Sequence, residues 1–212
     1  YTGAVAAVPA DEPYIVLKSF QTATSPDYGQ TVSLDVVLEN ISEDPYTASA
    51  VSATLTTTSP FVTIIDGDES VGTVNPDQVV TFAGAFSFSI ANDVPDQTPL
   101  TFTISISGEY DSDVYTWQQN FSIKANAPFL KYGTLSLDDT GSGDSDGILD
   151  PGETADLTLT LSNTGHAAVS DLTGLLTTAN PNLTIVNGTF PVASLAAGAS
   201  TSLVYTVTAD AS

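Results

Sequence analysis

The chain has no cysteine, no methionine and no arginine, and its positive charge consists of Lys18, Lys124 and Lys131. Without cysteine it can form neither a disulfide, a thiolate nucleophile nor a cysteine-based zinc site. Without methionine it lacks an initiator residue, so a mature, processed product or a segment of something longer is expected. Three cations against 25 Asp and Glu leave a net charge of −22, which removes nucleic acid from the candidate partners, because phosphates are bound through Lys and Arg. Docking on anionic lipid is disfavoured for the same reason. No apolar run approaches the roughly 20 residues of a membrane span, and no signal peptide is present. These absences together point to an extracellular, secreted protein with a processed N-terminus.

What is there is regular. Hydrophobic residues make up 42% of the chain, too many for a disordered acidic tail, and they alternate with polar ones. Val32-Ser-Leu-Asp-Val-Val-Leu38, Leu100-Thr-Phe-Thr-Ile-Ser-Ile106 and Leu157-Thr-Leu-Thr-Leu161 show the period of two that puts one face in a core and one in water. Turn clusters such as Ser25-Pro-Asp27, Asn75-Pro-Asp77 and Asn187-Gly188 separate these runs. No helical period persists over a dozen residues. The spacing predicts an all-β chain of antiparallel, immunoglobulin-like sandwiches.

The chain also repeats itself. Gly29-Gln-Thr-Val-Ser-Leu-Asp-Val-Val-Leu-Glu-Asn40 aligns with Gly152-Glu-Thr-Ala-Asp-Leu-Thr-Leu-Thr-Leu-Ser-Asn163, and Leu55 to Gly67 aligns with Leu176 to Gly188. Pro13-Tyr-Ile resembles Pro128-Phe-Leu, and Phe86–Ile90 matches Leu203–Val207. Three segments follow: an apolar tail over 1–12, a first module over 13–126, and a second over 127–212. Proline at the Ala125–Pro128 junction predicts a short, stiff linker. Module two differs from its twin in two ways. It gains eight residues ahead of Gly152, and it lacks counterparts of the last two strands expected in module one, so its terminal strands are missing.

The inserted residues belong to an acidic loop, Asp138-Asp-Thr-Gly-Ser-Gly-Asp-Ser-Asp-Gly-Ile-Leu-Asp-Pro-Gly-Glu153. Calcium takes six to eight oxygens from a short flexible stretch. Set against an EF-hand loop, Ser142, Asp144 and Asp146 fall at positions 1, 3 and 5. Gly147 follows at 6, Ile148 at 7 and Glu153 at 12. Asp138 or Asp139 folding back is expected to supply the charge that Ser142 lacks, with Asp150 ligating directly or through water. The alternative is a solvated acidic turn, which the mutual repulsion of six carboxylates opposes. Because the loop follows Pro128 closely in sequence, calcium is expected to stiffen the joint between the modules.

The Asp-x-Asp-Gly-x-Leu-Asp-Pro-Gly-Glu run, leading into Leu157-Thr-Leu-Thr-Leu-Ser-Asn-Thr-Gly165, resembles bacterial surface and secreted Ig-like modules of the CARDB-like kind. Similar modules follow gingipain-like secreted peptidase domains. The likeness covers about residues 128 to 210, and module one follows it more weakly without the loop. It implies a calcium-rigidified sandwich serving as spacer, adhesive or assembly unit.

Catalytic constellations are lacking. His166 is the sole histidine, in a predicted turn, so a zinc triad lacks its ligands, while a Ser-His-Asp set would have to use His166 and no Gly-x-Ser-x-Gly elbow is present. Trp117 suits core or edge packing better than a sugar platform. No enzymatic activity is expected. Asn40, Asn120, Asn182 and Asn187 stand in N-glycosylation sequons, a short and weakly specific signal for glycan decoration.

The tail Tyr1-Thr-Gly-Ala-Val-Ala-Ala-Val-Pro-Ala10 is small and apolar, a sticky segment if left in water. A module short of strands has an open sheet edge. The two defects are complementary, so Thr2, Ala4, Val5, Ala6 and Val8 are expected to add as a donor strand to module two of a neighbouring copy. Head-to-tail contacts of that kind build a homopolymeric filament. The alternatives are a spacer or adhesin segment of a larger secreted protein and, further off, a carbohydrate-binding module.

Overall fold

The computed structural model describes residues 11–211, so the donor-strand residues Thr2, Ala4, Val5, Ala6 and Val8 lie outside the described part. Every named strand pairs antiparallel, and the described residues contain no helix. The chain divides into two compact units, Tyr1–Asn126 and Ala127–Ser212, which match the two repeats.

Module one has eight strands: β1 (Ile15–Thr22), β2 (Thr31–Asn40), β3 (Ala48–Thr57), β4 (Val62–Asp66), β5 (Asp68–Val74), β6 (Val79–Ile90), β7 (Pro99–Tyr110) and β8 (Asp113–Lys124). They form two four-stranded sheets, β1-β2-β6-β4 and β5-β3-β7-β8. The alternation read in the sequence is the packing pattern. Val32, Leu34, Val36 and Leu38 of β2 are buried, and so are Leu100, Phe102, Ile104 and Ile106 of β7. The two faces meet at Phe88 and Phe102, whose ring centroids are 4.8 Å apart, an aromatic contact of the kind that anchors sandwich cores.

Module two has six strands: β9 (Leu130–Asp138), β10 (Thr154–Asn163), β11 (Val169–Leu175), β12 (Leu183–Asn187), β13 (Thr189–Leu195) and β14 (Ser200–Ala209). Its first sheet, β12-β14-β10-β9, repeats the order of β4-β6-β2-β1, whereas its second holds only β11 and β13. The ladders show that the match is residue by residue. Ile15 and Phe20 of β1 face Asn40 and Val36, as Leu130 and Leu135 of β9 face Asn163 and Leu159. Both pairs of strands also carry a register shift at the same place, after Leu17 and after Tyr132.

A buried asparagine closes one end of each sandwich. Asn40 accepts the N–H of Tyr14 at 3.3 Å and that of Ser42 at 3.2 Å, and its amide donates to the carbonyls of Tyr46 at 2.9 Å and Val74 at 3.2 Å. Asn163 accepts from Phe129 and Gly165, both at 3.1 Å, and donates to Ala167 at 2.9 Å and Leu195 at 3.1 Å. Each side chain ties the entering chain, the following loop and the end of a strand in the opposite sheet. Gly165 lies so close to the entering residues that a Cβ would overlap the Ala127 carbonyl and the Phe129 amide.

Candidate functional site

The acidic loop joins β9 to β10 at the end of module two away from Ala127. Nine residues of β9 at about 3.3 Å each carry the chain some 30 Å from the junction before the loop begins. The expectation that the loop stiffens the joint at Pro128 is therefore overturned: neighbours in sequence are here separated by the length of a strand.

Within the loop, the carboxylates of Asp139, Asp144 and Asp146 converge, each offering an oxygen within 4.8 Å of the others. The backbone explains how. Asp144 Oδ1 accepts the N–H of Asp146 at 3.2 Å, and Asp146 Oδ1 accepts that of Ile148 at 2.8 Å, two successive side-chain turns of the type Asp favours. Gly147 takes φ +82°, a left-handed conformation that suits glycine. Gly143 is required by contact, since a Cβ there would come within 2.9 Å of the Asp139 carbonyl oxygen. Asp139 is 2% exposed, accepts the Gly147 N–H at 3.3 Å, and has no ion-pair partner among the described residues.

The other predicted ligands have different partners. Glu153 accepts the N–H of Asp144 at 3.1 Å and of Asp150 at 3.0 Å, so it closes the loop through its backbone. Ser142 Oγ donates to the Thr154 carbonyl at 2.9 Å. Asp138 Oδ1 accepts both the N–H and the hydroxyl of Thr140, which lowers its pKa below the ordinary carboxylate value. Asp150 borders the converging group: loss of hydration raises its pKa, and the charges of Glu153, Asp146, Asp144 and Asp139 add to that. Ile148 donates its N–H to Asp146 and leaves its side chain exposed.

The donor set fits a hard divalent cation. Oxygens bound to one calcium at about 2.3–2.6 Å lie no more than roughly 5 Å apart, and three carboxylates already meet that limit. The cost of burying Asp139 as an anion also calls for a neutralising partner.

The second feature is the open half of module two. Leu34 and Val36 of β2 are fully buried, while their counterparts Leu157 and Leu159 in β10 are only half-buried. Where β7 closes module one, module two has a groove of about 410 Å³ lined by Tyr132, Leu159, Leu172, Leu176, Leu203 and Tyr205. Tyr205 stands in the place of Phe88 and faces no counterpart of Phe102. Its hydroxyl lies against Gly174, where a Cβ would collide with it. Along β9, Leu130, Tyr132 and Leu135 are 38%, 77% and 63% exposed. Sequence reasoning pointed to missing strands but not to these uncovered residues of β9, although matching them with Leu17 and Phe20 would have found them.

The remaining candidates separate by burial. Asn40 is fully buried and hydrogen-bonded, so its sequon has no room for a glycan in the folded chain, and that expectation is corrected. Asn120, Asn182 and Asn187 are exposed. Trp117 is buried, 6.4 Å from the parallel ring of Tyr115, and offers no free face for a sugar. His166 is exposed, and its N–H donates to the Ala127 carbonyl at 3.0 Å. No helix among the described residues is long and apolar enough to cross a membrane.

No protein-family model matches the chain, and no curated protein matches it. Among solved structures it is similar to a protein of unknown function from Porphyromonas gingivalis W83, at 13% identity and a TM-score of 0.31, over 93% of this chain and 83% of that one.

Proposed function

We propose that this protein is an extracellular structural subunit that assembles head-to-tail, module two of one copy accepting a β-strand from residues 1–9 of the next, with calcium rigidifying the acidic loop. The observation that carries this reading is the two-strand sheet β11-β13 standing where module one has four strands. An apolar groove and a free sheet edge of this kind are what an incoming strand satisfies, through backbone hydrogen bonds and alternate side chains. The tail, small and apolar, offers such a strand. The likeness of the acidic motif to secreted Ig-like modules agrees with an extracellular, non-enzymatic role. In that role the converging carboxylates of Asp139, Asp144 and Asp146 would hold the ion, with Asp150 at its edge.

Deleting residues 1–9 tests the reading. The truncated chain should remain folded by circular dichroism and fail to form filaments in electron micrographs under conditions where the full chain forms them. Filaments from the truncated chain would reject strand donation. If the full chain stays monomeric and a longer parent polypeptide is found in native material, the missing strands are supplied within one chain and the protein is a spacer segment.

A further inference from the structure

The solvent faces of the two sheets of module one differ in chemistry. That of β1-β2 carries Lys18, Asp35 and Glu39, with an ion pair between Lys18 and Glu39 at 3.0 Å. The runs 48–58, 99–108 and 114–123, which supply β3, β7 and β8, contain no Asp, Glu, Lys or Arg, in a chain with 25 acidic residues. Their outward side chains are hydroxyls and amides in register. Thr54, Ser105 and Gln118 form one row across the sheet, and Thr56, Thr103 and Asn120 form the next. Solubility alone does not call for excluding the carboxylates that are spread over the rest of the chain.

At its Thr101 end this face opens into a cavity of about 720 Å³, within the roughly 300–1,000 Å³ that small-molecule sites occupy. Its polar side is Thr101, Thr103, Asn120 and Ser122, its apolar side is Phe20 with Phe121, and no charged side chain lines it among the described residues. Phe20 is 38% exposed, and its ring is held from behind. Phe121 lies 4.3 Å away and itself stacks on Phe102 at 5.4 Å. The polar side has hydrogen-bonding capacity to spare. Thr103 Oγ1 donates to Asn120 Oδ1 at 2.7 Å, which orients the amide, while its N–H groups meet no acceptor among the described residues. Ser122 Oγ is exposed and has no hydrogen-bond partner among them either.

We propose that this cavity binds a neutral glycan. A sugar ring has an apolar face of C–H groups and an edge of hydroxyls. The C–H groups, slightly positive, match the negative face of an aromatic ring, and each hydroxyl is both donor and acceptor. Phe20 takes the apolar face, while the Asn120 amide and the Ser122 and Thr101 hydroxyls take the edge. Because ring and amide are already fixed by Phe121 and Thr103, little further ordering is needed on binding.

The lack of charge sets the ligand class. An anionic sugar would meet the field of a chain at −22 with no cation in the site to receive it, whereas a neutral one needs no counter-charge. Among the described residues module two has no counterpart of β7 or β8, so the site belongs to module one alone. It does not depend on assembly, and a filament would repeat it once per copy.

The test is affinity electrophoresis of the full chain, in gels holding a neutral glucan, mannan or galactan and in a gel holding polygalacturonate, an anionic polymer. At least one neutral polymer should retard the chain, and polygalacturonate should not. Phe20→Leu keeps an apolar side chain against Phe121 but removes the ring, and should weaken the interaction about tenfold. Asn120→Ala should weaken it about fivefold. Ile65→Ala, an exposed change in β4, should leave it unaltered. Circular dichroism checks that each variant is folded. Retardation that survives both Phe20→Leu and Asn120→Ala would place the glycan elsewhere and overturn the site. Equal or greater retardation by polygalacturonate would overturn the ligand class. No retardation by any of the polymers would overturn the proposal as a whole.

Discussion

A buried amide that meets two donors and two acceptors is among the most constrained side chains a sandwich can hold. Asn163 does so from a position with no exposure, joining the entering segment at Phe129 to Leu195 in the opposite sheet. Replacing it by alanine leaves four backbone groups short of a partner, each costing about 1–3 kcal/mol when buried. Asn163→Ala should therefore destabilise module two by roughly 3–5 kcal/mol, allowing for partial relaxation. Asn187→Ala, at the exposed end of β12, should stay within about 0.5 kcal/mol. Urea denaturation followed by a module-two probe decides this, and equal midpoints for the two variants would show that the clasp contributes nothing. The pair of asparagines also marks where the sequence misled. Asn40-Ile-Ser42 satisfies a sequon because that motif is local, whereas burial depends on Tyr14, Tyr46 and Val74 arriving from elsewhere. Its alignment with Asn163 was visible in the repeat, and a polar residue kept in both copies at the end of an apolar strand is better explained by structure than by a glycan.

At the scale of elements, the acidic loop is held by its own backbone up to the point where three carboxylates face one another. Hydrogen bonds to Asp144, Asp146 and Glu153 set the turns, but they leave the mutual repulsion of the carboxylates uncompensated. A cation that binds only the folded loop at 100 times its Kd adds about 2.7 kcal/mol. For a module of this size, that corresponds to a Tm shift of roughly 10–20 °C. Chelation of the native protein should lower the module-two transition by that order and leave the module-one transition in place, as read by calorimetry. Asp144→Ala with Asp146→Ala, both exposed positions, should abolish the difference; a module-two transition indifferent to calcium in the parent would reduce the loop to a turn. Composition and the spacing of Asp144, Asp146 and Gly147 made this loop legible. Its location was not, because adjacency to Pro128 in sequence is undone by β9. The hydrogen bonds of Glu153 were not legible either: its oxygens accept the N–H groups of Asp144 and Asp150, contacts that the twelve-residue spacing does not reveal.

For the whole molecule, the question is how a chain of net charge −22 associates with itself at all. Exposed charges more than about 8 Å apart are largely screened in physiological salt, so the bulk charge slows association without forbidding it. Charges at the proposed joint are another matter. Asp11 and Glu12 follow the proposed donor segment closely in sequence. Where a donated strand leaves module two at the acidic-loop end, Asp11 brings a carboxylate to the loop that carries Asp139, Asp144, Asp146 and Asp150. One like-charge contact at about 4 Å costs on the order of 1 kcal/mol where water surrounds both groups, or about fivefold in an association constant. Calcium should therefore lower the critical concentration for assembly, and chelator should raise it. Asp11→Asn should lower it about fivefold in chelator and less in calcium, because the ion has then already neutralised the loop. Asp68→Asn removes the same charge from an exposed site of module one and should do neither. Sedimentation of filaments across a concentration series separates the cases. If both variants move the critical concentration equally, assembly responds to net charge alone. If only Asp11→Asn does so, and only without calcium, the acidic loop lies at the joint between copies, and its ion is part of the assembly.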